Sequence, residues 1–114
     1  LAFIPGQFIS IHFPTDTKDV RRSYSIATIP SQSNDIEFAA SYVKDGFASE
    51  RLFALTPGET LTMSGPYGRL ILRDEETPKR IWLVATGTGV TPYRAMLPAL
   101  AKKLASNNLE VMLL

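Results

Sequence analysis

Apolar and polar residues alternate over residues 6–13 (GQFISIHF), placing Ile9, Ile11 and Phe13 on one face and His12 on the other. That period predicts a strand following the Pro5-Gly6 turn, with His12 directed at solvent or a neighbouring strand. Residues 14–21 are polar and contain Pro14 and Asp16, which predicts a loop. A second strand is expected from Arg22 to Thr28 and a third from Ile36 to Val43, separated by the turn cluster Ser31-Gln32-Ser33-Asn34-Asp35. Lys44-Asp45-Gly46 closes the third. Phe47 to Leu55 carries a helical pattern of one or two turns, stopped by Thr56-Pro57-Gly58-Glu59. Leu61 to Met63 and Leu70 to Leu72 predict further strands on either side of Gly65-Pro66-Tyr67-Gly68. Short strands between turn signals point to an antiparallel barrel or sandwich.

From Arg80 onward the period changes. Ile81 to Ala85 is a near-continuous apolar strand of the kind buried in parallel sheets. Gly87-Thr88-Gly89 follows as a sharp turn, with Thr91 as the expected N-cap and Pro92 at the first helical position. Tyr93, Met96, Leu97, Leu100, Ala101 and Leu104 recur at helical spacing, up to Asn107-Asn108. Pro98 within that run predicts a kink or an exposed, weakened turn. Glu110 to Leu114 is the next strand, completing one βαβ unit. The charged, Pro78-containing stretch 73–79 sets the expected boundary between a barrel domain, 1–75, and the start of a second domain, 80–114. One βαβ unit alone leaves a sheet edge bare or covered by another segment. The chain opens at Leu1 without Met and stops inside a strand pattern, so a piece of a longer polypeptide is expected.

Composition narrows the chemistry. With 114 residues, 45% of them hydrophobic and 20% charged, the chain can bury a modest core. A net charge of +1 gives no basic footprint, which argues against an oligonucleotide-binding barrel. No cysteine is present, so disulfides, Cys-ligated clusters and a thiol nucleophile have no ligands here. A single histidine gives no basis for a metal site. Redox chemistry, if any, requires an organic cofactor. No apolar run reaches the length of a membrane span and no signal peptide is visible, so a cytoplasmic location is expected.

Three short segments carry candidate chemistry. On a strand, Arg22 and Tyr24 share one face of Arg22-Ser23-Tyr24-Ser25, so a guanidinium can fork onto a phosphate beside a ring that lies against a planar ligand. Gly46-Phe47-Ala48-Ser49 opens a short helix with small residues, leaving N–H groups and the Ser49 hydroxyl for an anion. Gly87 to Pro92 turns a strand tip into a helix N-terminus, where a pyrophosphate is favoured. Taken singly, each has a plain alternative: a surface strand with a solvated Arg, an ordinary helix start, and a tight βα turn lacking the third glycine of the dinucleotide fingerprint.

In order, Pro5-Gly6-Gln7-Phe8, Arg22-Ser23-Tyr24-Ser25, Gly46-Phe47-Ala48-Ser49, Pro57-Gly58-Glu59, Gly65-Pro66-Tyr67-Gly68 and Ala85-Thr86-Gly87-Thr88-Gly89-Val90-Thr91-Pro92 resemble the ferredoxin–NADP reductase superfamily over nearly the whole chain. The resemblance implies an antiparallel Greek-key flavin-binding barrel, its first strand missing, followed by the first βαβ of a Rossmann-like nucleotide-binding domain. It implies that Arg22 binds a flavin phosphate or pyrophosphate. Tyr24 and Ser25 would be the catalytic pair, Tyr24 stacked on the isoalloxazine ring and Ser25 hydrogen-bonded near N5. Val43 and Lys44 would flank the flavin, and Gly46, Phe47, Ala48 and Ser49 would supply a second phosphate contact. Gly87, Thr88, Gly89, Thr91 and Pro92 would face the nicotinamide nucleotide. The implied cofactors are FAD, with FMN as the alternative, and NADH or NADPH. The implied activity passes electrons between NAD(P)H and a one-electron carrier such as a ferredoxin. The rival reading is a non-catalytic flavin- or nucleotide-binding module of a larger redox complex.

Overall fold

The computed structural model describes every residue except 31, 33 and 107. The turn residues Ser31 and Ser33 and the helix-end residue Asn107 therefore lie outside the described residues. Strands β1 (Phe8–Pro14), β2 (Asp19–Ser25) and β3 (Thr62–Tyr67) form one antiparallel sheet in the order β2-β1-β3. A short helix, α1 (Phe47–Phe53), lies between β2 and β3 in sequence. The second half holds β4 (Arg80–Leu83), a 3-10 turn at Gly87–Val90, α2 (Thr91–Ser106) and β5 (Glu110–Leu113). β4 and β5 pair in parallel, with Arg80 opposite Glu110 and Leu83 opposite Leu113. An antiparallel sheet followed by a right-sized βαβ unit is the predicted fold class.

The alternation in β1 has the expected consequence. Ile9, Ile11 and Phe13 are each 1% exposed and form the first core with Ile26 and Ala48. Burying each of the three large side chains of β1 contributes about 1.5–3 kcal/mol. Their partners in register are Tyr24, Arg22 and Val20, so these six side chains share one face of the sheet. A smaller second core joins Leu83 of β4 to Met96 and Leu100 of α2. Gly6, just before β1, lies against the Leu70 carbonyl and the side chain of Met96 from the second core.

Several boundaries differ from those expected. β2 begins at Asp19 inside the supposed loop 14–21, because Thr15 closes a tight hairpin onto Lys18: Thr15 N–H and Oγ1 donate to the Lys18 carbonyl (2.8 and 2.7 Å). Ile36 to Val43 does not form a strand; it meets β2's continuation through a single bridge, Ile26 to Phe38, and one bond from Ala27 N–H to the Glu37 carbonyl. Leu70 to Leu72 pack rather than pair: the Leu70 carbonyl abuts Gly6 and Leu72 joins the second core. α2 starts at Thr91, with Pro92 second, and runs unbroken past Pro98, which sits on its exposed side. Thr91 does not cap it. Its Oγ1 donates backwards to the Thr88 carbonyl (2.6 Å), fastening the 3-10 turn.

On the outer face of the sheet, polar residues of all three strands join. His12 contacts Ser64 through Nε2 (2.8 Å) and Asp19 through Nδ1 (3.0 Å), and Arg21 Nε donates to the same Asp19 oxygen (2.7 Å). The Arg21 hydrogen bond leads in holding the Asp19 carboxyl below its ordinary range. A depressed carboxylate stabilises the fold above its unfolded value, about 3.9, and that contribution disappears as pH falls through the folded value. Asp19→Asn is accordingly expected to lower the melting temperature slightly at pH 7. The gap from the parent should close in thermal scans below about pH 4. A gap that stays constant down to pH 2 would contradict the assignment.

Candidate functional site

β2 carries Arg22 and Tyr24 into a groove that Ser41, Val43 and the start of α1 also line. Phe38 backs the Tyr24 ring, with centroids 4.9 Å apart and planes inclined by 37°. Partial burial pushes the Tyr24 phenol above its ordinary range while the Arg22 charge works in the opposite direction, so the hydroxyl stays protonated at neutral pH. Arg22 is exposed, donates to the Arg21 carbonyl (2.7 Å), and takes part in no ion pair among the described residues. An exposed guanidinium without a carboxylate keeps its charge available for an anion.

The start of α1 is shaped by a turn. Gly46 N–H donates to the Val43 carbonyl (3.0 Å), and Asp45 has φ +59°. A Cβ at Gly46 would stand 2.9 Å from that carbonyl oxygen, so the turn cannot close this tightly around a larger residue. Ser49 Oγ accepts from Val43 N–H (2.7 Å), which ties the extended segment to the helix and leaves the hydroxyl hydrogen to donate elsewhere. No side chain caps α1, and the N–H groups of Phe47, Ala48 and Ser49 precede the first intrahelical bond, Glu50 N–H to the Gly46 carbonyl.

These pieces converge. One groove of about 360 Å³ is lined by Arg22, Tyr24, Ser41, Val43, Gly46, Phe47, Ala48, Ser49 and Thr88. It thus unites the Arg–Tyr face, the helix start and the glycine turn, which are far apart in sequence. No carboxylate lines it. A cation, uncapped N–H groups and an aromatic face suit a ligand that has both phosphate and a planar ring.

Other predicted residues lie elsewhere. Ser25, opposite Phe8 in the sheet, and Lys44, Gly87, Gly89, Thr91 and Pro92 do not line this groove. Gly87, Thr88 and Gly89 are exposed; Gly87 holds φ +53°, where glycine is favoured. Thr91 is only 4% exposed and Pro92 is buried, so both face inward. Two donors of the turn are spent within it: Gly89 N–H bonds the Thr86 carbonyl (3.0 Å) and Thr91 N–H the Thr88 carbonyl. Thr91 instead borders a neighbouring hollow with Ala27, Glu37, Phe38, Ala39, Val90 and Arg94. Ser41 was not singled out from the sequence. Its signal was present: in an extended segment it stands two residues before Val43 and so shares its side.

Residues 1–71 match the family model described as the oxidoreductase FAD-binding domain. The chain belongs to this family. The FAD-binding domain match ends just before the charged stretch 73–79. Among curated relatives, ferredoxin–NADP reductase B of Sorangium cellulosum is 41% identical over 96% of this chain and 45% of its own length. The toluate 1,2-dioxygenase electron transfer component of Pseudomonas putida is 32% identical over 90% of this chain and 30% of its own. The chain therefore spans less than half the length of these relatives. The solved cytochrome P450 reductase GcoB of Amycolatopsis superposes with a TM-score of 0.82 at 25% identity, over 99% of this chain and 34% of that one. A ferredoxin NADP+ reductase of Neisseria gonorrhoeae, solved with bound FAD and NADP, superposes at 0.71 with 22% identity, over 96% and 44%.

Proposed function

We propose that this chain provides the FAD site, and the first part of the nicotinamide nucleotide site, of an NAD(P)H-dependent oxidoreductase that feeds a one-electron carrier such as a ferredoxin. The observation that carries the reading is the groove uniting Arg22, Tyr24 and the uncapped start of α1. Residues 1–75 would form the flavin unit and 80–114 the beginning of the nucleotide unit.

A flavin held there would supply hydride acceptance and single-electron transfer, the remaining proton leaving to solvent. The residues bind and orient. Arg22 would bind a flavin phosphate through its guanidinium, and the N–H groups of Phe47, Ala48 and Ser49, with the Ser49 hydroxyl, would supply a second phosphate contact. Tyr24, packed against Phe38, would lie against the ring system. By the family resemblance Ser25 would hydrogen-bond near N5 of the ring and Val43 and Lys44 would flank it, although of the three only Val43 lines the groove. Gly87, Thr88 and Gly89 present an exposed turn to the nucleotide, with Thr91 and Pro92 fixing it from behind. Either FAD or FMN satisfies these groups.

The test is a visible absorbance spectrum of the full-length protein, recorded before and after anaerobic NADH and then NADPH. A flavin spectrum that bleaches with one nucleotide supports the proposal and gives the nucleotide preference. A colourless protein that neither FAD nor FMN reconstitutes would overturn it and leave a non-catalytic module. Tyr24→Ser should retain the fold, raise the fluorescence of the bound flavin and weaken its binding about threefold to tenfold, the worth of one aromatic contact. Fluorescence unchanged from the parent would mean that Tyr24 does not touch the ring.

A further inference from the structure

Arg94 lies in the first turn of α2, three residues beyond the buried Thr91, and reaches across to the other half of the molecule. Its Nη1 donates to the Ala27 carbonyl (2.7 Å) and also to the Glu37 carboxylate. Both acceptors belong to one small antiparallel link. Ala27 N–H donates to the Glu37 carbonyl (2.8 Å), Thr28 Oγ1 accepts from Glu37 N–H (2.7 Å), and the bridge Ile26–Phe38 follows. Phe38 is the ring behind Tyr24. On its own side, Arg94 is separated by one helical turn from the 3-10 turn that brings Thr88 into the groove.

From this geometry we infer that Arg94 is a positioning residue: it sets the distance between the Gly87–Val90 turn and the Tyr24 face by holding α2 onto the Ala27–Glu37 link. The inference rests on the flavin and nucleotide reading above and adds to it the residue that registers the two sites. Both bonds leave the same nitrogen, Nη1, whose two N–H groups are held at a fixed angle in the rigid guanidinium plane, whereas a lysine ammonium sits on a flexible stem and is not pre-oriented toward the two acceptors. The Ala27 carbonyl is a main-chain acceptor, so the contact reports backbone placement and not only surface charge.

The experiment compares Arg94→Gln, Arg94→Lys and Glu37→Gln with the parent, each in the full-length protein loaded with FAD. Arg94→Gln is expected to keep the flavin spectrum and flavin affinity, but to slow the limiting rate of flavin reduction by NAD(P)H about fivefold in stopped-flow. The apparent dissociation constant for the nucleotide should change less than the rate. Arg94→Lys should recover part of the rate, and Glu37→Gln, which leaves the Ala27 bond intact, should lose less than Arg94→Gln. Amide hydrogen exchange, measured with and without FAD, should rise in residues 86–91 and at Ala27 for Arg94→Gln. Parental rates and parental exchange in Arg94→Gln would overturn the inference. A parent protein that takes up no flavin would refute the functional reading instead, while the exchange comparison without FAD would still decide the role of Arg94.

Discussion

Gly6→Ala is expected to lower stability by about 4 kcal/mol, adding about 1–3 for the backbone conformation and about 1–3 for overpacking. Gly6 has φ +103°, and a Cβ there would fall 1.7 Å from the Leu70 carbonyl oxygen and 2.4 Å from the Met96 Cε. The Met96 methyl can swing away; the main-chain oxygen cannot. Gly58 provides the control, with φ +101° and nothing within 4 Å of its Cβ position. Gly58→Ala therefore carries the backbone cost alone. Urea unfolding of both variants separates the two causes. Equal losses would show that the close approach of Gly6 to residues 70 and 96 does not exist. Should Gly6→Ala fail to fold, Met96→Ala in the parent gives the second measurement, since it removes the flexible half of the same contact.

The second large effect is on ligand binding. Arg22→Ala is expected to weaken flavin binding about 10- to 100-fold, the worth of one charged hydrogen-bonding group at about 1.5–3 kcal/mol. Arg22→Lys should recover only part of it, because one ammonium replaces a two-pronged donor. Stability should hardly change, since the guanidinium is exposed and makes no ion pair among the described residues. Equilibrium titration of flavin fluorescence at several salt concentrations checks this, with the salt dependence shallower in Arg22→Ala. Unchanged affinity would remove Arg22 from the site. A matching loss with riboflavin, which has no phosphate, would move its contact from the phosphate to the ring.

Local pattern proved informative wherever the determining interaction is itself local. The face of Ile9, Ile11 and Phe13 follows from a two-residue period, and the face shared by Arg22 and Tyr24 follows from the same rule. The helical spacing of Met96 and Leu100 likewise placed both in a core. The pattern misled where pairing depended on a distant partner. Ile36 to Val43 has the composition of a strand, yet only Phe38 finds a ladder position, at Ile26. Asp19 and Arg21 read as loop residues because they are charged, although their charges meet His12 on the outer face of a regular strand.

The helical stripe of α2 shows a related limit. Leu97 and Leu104 share spacing with Leu100, but they are 54% and 43% exposed and border an apolar hollow of about 490 Å³ with Leu83, Val111 and Leu113. Periodicity identifies an apolar face without saying what covers it. Thr91 illustrates the same point for a cap: its type and position suit an N-cap, but the preceding glycine turn brings the Thr88 carbonyl within reach and captures the hydroxyl.

What the sequence determined by itself was therefore the membership of each short segment in a chemical class, and the order of segments that marks the FAD-binding domain family. Backbone period, glycine tolerance and charge are properties of neighbouring residues, and they are legible in order along the chain. Only the tertiary structure decided that Arg22, Tyr24, Ser41, Ser49 and Thr88 line a single groove, and that Arg94 reaches Ala27 and Glu37. Those meetings depend on tertiary packing between segments far apart in the chain, which local period cannot encode; Gly6 is one such place, where the absence of a Cβ lets the Leu70 carbonyl and Met96 approach.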